Sequence, residues 1–195
     1  MQHDASSQGK ASGVLIYLIG PSGSGKDSLI EAARAQLAGA GVEIARRVIT
    51  RSAEATGEAA QSVTPERFEA MSAAGEFAMH WQANGLEYGI PKQVDVWLAQ
   101  GRSVLVNGSR GYLDEARRRY PGLLAVRLEV KPEVLRARLL ARGREAPQEI
   151  DQRLARSARL QACPDPSVHV LDNSGSLATA VCTLIDLLRQ QGVSV

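Results

Sequence analysis

The spacing of apolar residues changes several times along the chain, and each change marks an element. Val14 to Ile19 (VLIYLI) is an unbroken apolar run of strand length, the mark of a strand buried on both faces. From Asp27 to Ala38 the apolar positions Leu29, Ile30, Ala33 and Leu37 fall on one face of a helix, and Gly39 and Gly41 stop it. Val42 to Ile49 reads as a second strand, and residues 50 to 63, polar and aperiodic, as a loop. Thr64-Pro65-Glu66 supplies an N-cap with Pro at the first helical position, opening a helix to about Ala74. Glu76 to Ala83 and Leu86 to Tyr88 flank Asn84-Gly85, which predicts a tight β-hairpin. A helix from Pro91, carrying Val94, Trp97 and Leu98, ends at Gly101. Strands follow at Ser103 to Asn107, Leu123 to Val130 and Val168 to Leu171. Helices are expected over 110 to 119, Pro132 to Arg142, Gln148 to Gln161 and Leu177 to Arg189.

Strands alternating with helices predict an α/β fold, a mostly parallel sheet covered on both sides, interrupted by a small antiparallel insertion at the hairpin. In such sheets ligands bind beyond the carboxyl ends of the strands, so the loops after residues 19, 49, 107 and 171 are where a site belongs. The expected organisation is a disordered tail over 1–13 and one domain over 14–190.

Composition narrows the function more by exclusion than by indication. The chain has 195 residues, 44% hydrophobic and 23% charged, enough to bury a core without disulfides. Cys163 and Cys182 lie far from any CxxC spacing, which points to a reducing compartment and no structural zinc; both read as small apolar fillers. The polar start MQHDASSQGKASG and the lack of a long apolar run point to a cytoplasmic protein without a membrane span. A net charge of +2 and few aromatics speak against nucleic acid. Oligomeric state leaves no mark on the sequence. The basic residues are lopsided, 19 Arg against 4 Lys, and seven of the arginines fall between Lys131 and Leu160. A GC-rich coding bias accounts for such a ratio, and so does a need for planar, bidentate phosphate donors.

The stretch Gly20-Pro21-Ser22-Gly23-Ser24-Gly25-Lys26 fits G-x-x-x-x-G-K between a buried strand and a helix, the context of a phosphate-binding P-loop. Its glycines let backbone N–H groups surround phosphate oxygens, and the helix adds its positive end. Asp27 stands where a Ser or Thr hydroxyl usually binds Mg²⁺, with Ser28 next. A carboxylate there can hold Mg²⁺ directly or through water, or merely complement the helix dipole.

GPSGSGK, the Thr50-Arg51 pair, the Tyr88-Gly89 hairpin and the Arg142-Gly143 lid together resemble the guanylate kinase family over about residues 14 to 190. The resemblance implies a three-layer P-loop NTPase fold, an acceptor-binding insertion at about 50–90 and a helical lid at about 136–160. It also implies transfer of the γ-phosphoryl of ATP to a phosphate. Two carboxylates with which guanylate kinases read guanine are, in that alignment, Gln82 and Ser109, and the second arginine of the TR-x-x-R acceptor motif is missing. Arg47 replaces a phosphate-contacting Ser. The strings GPSGSGKDSL, VITR, ANGLEYG and VNGSR are similar to the ribose 1,5-bisphosphate phosphokinases, relatives that make 5-phosphoribosyl 1-diphosphate from ATP and ribose 1,5-bisphosphate. Asp27 is part of that likeness.

What the resemblance implies for the residues is as follows. Gly20 to Ser28 would hold ATP, with Lys26 at the β and γ phosphates and Mg²⁺ near Asp27. Arg47, Arg51, Tyr88, Asn107, Ser109 and Arg110 would face the sugar bisphosphate. Arg142, Arg144 and Arg153 would close over the transferred group. Arg136 and Arg138 read as solvated or ion-paired, Trp81 and Trp97 as core, with Trp81 a secondary candidate for stacking on a sugar, His80 and His169 as structural, and Asn173 as an adenine contact or a turn residue. The alternatives are a nucleoside monophosphate kinase and a non-catalytic binding module of the same fold.

Overall fold

The run VLIYLI forms the centre of the sheet because it can bury both of its faces. The computed structural model describes residues 13–50, 60–143, 146–161 and 165–195, without the side chains of 153 and 156–161. Its elements are β1 (Leu15–Ile19), α1 (Lys26–Gly39), β2 (Glu43–Ile44), β3 (Val48–Ile49), β4 (Gln61–Ser62), α2 (Pro65–Ala73), β5 (Phe77–Ala83) and β6 (Leu86–Pro91). They continue with α3 (Gln93–Ala99), β7 (Val104–Asn107), a 3-10 turn (Arg110–Tyr112), α4 (Leu113–Arg119) and β8 (Leu124–Glu129). The last are α5 (Pro132–Arg142), α6 (Pro147–Gln161), β9 (Val168–Asp172) and α7 (Leu177–Gln190).

The main sheet runs β2-β7-β1-β8-β9, every neighbouring pair parallel. On one face Ile16 and Leu18 pack with Leu29, Ala33 and Leu37 of α1 and Leu184 and Leu188 of α7. On the other, Leu15, Tyr17 and Ile19 pack with Val94, Leu113 and Ala116. A second sheet, β4-β3-β6-β5, is the insertion; its pairs are antiparallel except β3 with β4. Asn84 and Gly85 turn its hairpin with φ of 52° and 73°, as the Asn-Gly pair foretells. Helices α5 and α6 share a small apolar cluster of Val130, Leu135, Leu139 and Ile150.

Four expectations are corrected. The strand expected over Val42 to Ile49 is two strands in two different sheets, because the chain leaves the main sheet at Ala45 and joins the insertion at Val48. Within the expected loop, Gln61–Ser62 pairs with β3, its first N–H donating to the Arg47 carbonyl at 2.7 Å. Pro91 ends β6 instead of opening a helix, at a strand terminus where its missing N–H costs nothing. Cys182 is exposed, one 100° step past the inward Val181 on α7, so it fills no core; Cys163 and the tail over 1–12 lie outside the described residues.

Within the insertion, β5, β6 and α2 meet through a close contact. A Cβ built on Gly89 would lie 2.5 Å from a ring carbon of Phe77, which stacks in turn on Phe68 at 4.7 Å. Gly89→Ala is expected to destabilise the protein by about 1–3 kcal/mol through overpacking. A denaturant titration checks it, and an unchanged midpoint would show that Phe77 gives way.

Candidate active site

The loop between β1 and α1 takes its shape from glycines that accept left-handed torsions. Gly23 and Gly25 have φ of 88° and 86°. Neither position has room for a side chain: a Cβ on Gly23 would meet Leu139 at 2.8 Å and one on Gly25 would meet the Asn173 amide nitrogen at 2.7 Å. The loop is thus clamped between α5 and the turn after β9. Asn173, 3% exposed, donates its amide N–H to the Ser24 carbonyl at 2.6 Å. Lys26 donates its ammonium to the Gly20 and Pro21 carbonyls at 2.7 and 3.2 Å, so its charge lies across the loop it follows. The Ser24 hydroxyl is fully buried and makes no hydrogen bond among the described residues.

A cleft of about 660 Å³ opens over this loop. Ser22, Gly23, Lys26, Asp27 and Ser28 line its floor, while Trp81, Ala83, Asn84 and Tyr88 of the hairpin line one wall. Gly108 and Ser109 continue that wall, and Arg138, Ala141 and Arg142 of α5 stand opposite with Asn173.

Asp27, in the first turn of α1, is where the two sheets and the phosphate loop come together. It accepts the Asn107 amide N–H at 2.6 Å, and its carboxylate lies 3.9 Å from the Arg47 guanidinium. Arg47 leaves the backbone where the chain crosses between sheets, is only 9% exposed, and donates to the Asn107 carbonyl at 3.0 Å. Its guanidinium sits 5.4 Å from the Tyr88 ring centre. Tyr88 stacks on Trp81 with centroids 5.7 Å apart and planes 6° from parallel, and Trp81 meets Tyr112 at 5.6 Å. Behind this wall Tyr17 pins the exit of β7: its hydroxyl accepts the Ser109 N–H at 3.1 Å and donates to the Ser109 carbonyl at 3.2 Å. Burial pushes the Tyr17 phenol far above its usual range, so it keeps the proton it donates. Thr50 ties the insertion together, its hydroxyl accepting the Glu87 N–H at 2.8 Å.

The structure brings Lys26, Asp27, Ser28, Arg47, Tyr88, Ser109 and Arg142 to one cleft. Asn107 stands behind it as the partner of Asp27 and Arg47. Arg110 does not line it: half-buried, it faces Arg127, and burial and that like charge lower its pKa. Arg51, Arg144 and the Arg153 side chain lie outside the described residues. Arg136 is ion-paired with Asp151 at 2.8 Å, as expected, whereas Arg138 lines the cleft and approaches the Ser24 carbonyl at 3.5 Å. The signal for Arg138 is its spacing: four residues before Arg142, it shares that residue's helix face. Trp81 and Trp97 are both half-buried against the core, as expected, and Trp81 also lines the cleft.

Among the described residues no three His, Cys, Asp or Glu side chains gather as a metal site. What the chain offers is the Asp27 carboxylate, 45% exposed at the loop, with the buried Asn107 amide oxygen unpartnered beside it. That donor set fits Mg²⁺ held mainly by phosphate oxygens and water. Asn173→Ala removes the donor from a buried carbonyl and is expected to cost about 1–3 kcal/mol of stability. It should also weaken pyrophosphate binding measured by calorimetry, and intact binding would show that the loop keeps its shape without the clamp.

No family model matches the chain. The guanylate kinase of Anaplasma phagocytophilum superposes with a TM-score of 0.68 at 21% identity, over 93% of this chain and 87% of that one, which establishes a guanylate-kinase-like fold. Ribose 1,5-bisphosphate phosphokinase PhnN of Pseudomonas paraeruginosa is 65% identical over 173 residues, 89% of this chain and 94% of that protein. The protein of that name from Azotobacter vinelandii is 60% identical over 179 residues, 92% and 97% of the two chains. The one from Thiobacillus denitrificans is 48% identical over 183 residues, 93% and 96%. With identity of this order along nearly the full length of both chains, the chain belongs to the ribose 1,5-bisphosphate phosphokinase family.

Proposed function

We propose that the protein moves the γ-phosphoryl of ATP onto the 1-phosphate of ribose 1,5-bisphosphate, giving 5-phosphoribosyl 1-diphosphate and ADP. An oxygen of the acceptor phosphate attacks the γ-phosphorus in line, and the bond from that phosphorus to the β-phosphate oxygen breaks. A phosphate monoester is nucleophilic near neutral pH, so no general base is assigned. Catalysis then consists of alignment and neutralisation of charge.

The observation that carries this reading is that donor and acceptor phosphate binders share one cleft and one carboxylate. The P-loop and Lys26 form its floor, Arg47 and Tyr88 its acceptor side, and Asp27 touches both. Arg142 and Arg138 face the same space from α5, where they would sit over the transferred group. By family likeness Arg51 joins Arg47 on the acceptor, and Arg144 and Arg153 join the lid. Mg²⁺ would be held at Asp27, where it would neutralise the phosphate oxygens. The helix pair α5–α6 is read as a lid whose closure keeps water from the phosphoryl group. A cytoplasmic location fits a free Cys182 thiol and described residues in which no helix is long and apolar enough to cross a membrane.

Incubation with ATP, Mg²⁺ and a panel of sugar phosphates and nucleotides is expected to yield 5-phosphoribosyl 1-diphosphate from ribose 1,5-bisphosphate; strong turnover of GMP would overturn the acceptor assignment. Lys26→Ala should lower kcat by about two orders of magnitude or more, since it removes the charge at the moving phosphoryl group. Asp27→Asn should raise the Mg²⁺ concentration needed for half-maximal rate, and an unchanged requirement would remove the metal role.

A further inference from the structure

The hairpin decides which of its residues the acceptor meets, and it does so by strand alternation. On β5, Trp81 and Ala83 point into the cleft, while His80 and Gln82 lie on the opposite, exposed side. Cross-strand pairing agrees: Trp81 lies opposite the cleft-lining Tyr88, and Gln82 opposite Glu87. The position aligned with a guanine reader therefore faces away from the acceptor, and the flat indole beside it faces in.

Trp81 is also held. Its ring is parallel to Tyr88 on one side and meets Tyr112 of the 3-10 turn on the other, and Arg47 extends the row beyond Tyr88. Tyr112–Trp81–Tyr88–Arg47 is thus a continuous wall whose far end is the cleft-lining Arg47. Two consequences follow. The distance from Arg47 to the indole is set by stacked rings, so a phosphate gripped by Arg47 has its sugar carried alongside Trp81. And the flat space that a stacked base would need is already occupied by side chains. Trp81 makes no hydrogen bond among the described residues, so its indole N–H is available to a hydroxyl in the cleft. Trp81, Ala83, Asn84, Tyr88, Gly108 and Ser109 include no carboxylate to accept a purine N–H.

From this geometry we infer that Trp81 is the specificity-determining residue of the acceptor site, contacting the pentose of a base-free sugar phosphate and excluding a nucleobase. The inference rests on the proposed phosphotransferase reading and adds the residue that selects its acceptor. The edge of the indole matches such a ligand, because its N–H can donate to a pentose hydroxyl while tyrosines crowd the ring faces that a base would need. The N–H contact and the steric exclusion act on the acceptor alone, leaving the ATP half of the cleft untouched.

The test is steady-state kinetics of Trp81→Ala and Trp81→Phe, with ribose 1,5-bisphosphate and ATP varied separately. Trp81→Ala is expected to raise the acceptor KM about tenfold or more, while the ATP KM stays within about twofold. Trp81→Phe should recover part of the loss. Fluorescence gives a second readout in a protein that keeps the wall intact. In Trp97→Phe, Trp81 is the only tryptophan, and ribose 5-phosphate or ribose 1,5-bisphosphate should change its emission where GMP does not. An acceptor KM unchanged in Trp81→Ala, equal losses for both substrates, or emission blind to sugar phosphates would each overturn the inference. Failure of the unsubstituted enzyme to phosphorylate ribose 1,5-bisphosphate overturns the functional reading instead. A sugar-phosphate effect on Trp81 emission would still support the contact in that event.

Discussion

A guanidinium with only 9% of its surface exposed has to be compensated, and the compensation of Arg47 organises the site. Burying an unpaired charge is costly, so its partners must be fixed by the fold and not left to solvent. Three elements supply them: the carbonyl at the end of β7, the carboxylate at the start of α1 and the ring of Tyr88 on β6. Arg47 can reach all three because it lies in the short crossing where the chain passes from the main sheet to the insertion. The hairpin, the phosphate loop and the β7 exit are thereby registered on one another before any substrate arrives.

The phosphate loop is constrained from the opposite side. Leu139 of α5 and Asn173 after β9 occupy the places that side chains at Gly23 and Gly25 would need. The same helix that presents Arg138 and Arg142 to the cleft therefore also presses on the loop that cradles phosphate. Arginines that line the cleft and glycines that shape its loop are coupled through ordinary packing, because close-packed interiors transmit small displacements.

The acceptor side shows how a fold shared with guanylate kinases at 21% identity can serve a different ligand. The P-loop half needs only phosphates and Mg²⁺, which are common to many donors. The hairpin wall, where Trp81 and Tyr88 stack, is the part of the cleft that the proposed selectivity rests on. Fold and phosphate chemistry are held in common, and a few side chains on one strand face carry the distinction.

Much of this was legible in the chain. The double-faced burial of VLIYLI, the bounds of α5 at Pro132 and Arg142, the Asn84-Gly85 turn and the P-loop follow from local rules, since apolar period, caps and torsional freedom act over a few residues. The division of Val42 to Ile49 between two sheets was not legible, because β pairing depends on partners distant in the chain. Neither were the outward turn of Gln82 and the clamp of Asn173 on Ser24. Alternation guarantees that Trp81 and Gln82 point opposite ways; only the docking of β5 beside Tyr112 decides which of them lines the cleft. Asp27 and Asn107 are 80 residues apart, and Ser24 and Asn173 are 149 apart. Residue types along the chain set which contacts were chemically possible, while strand order and crossover brought these particular pairs within bonding distance.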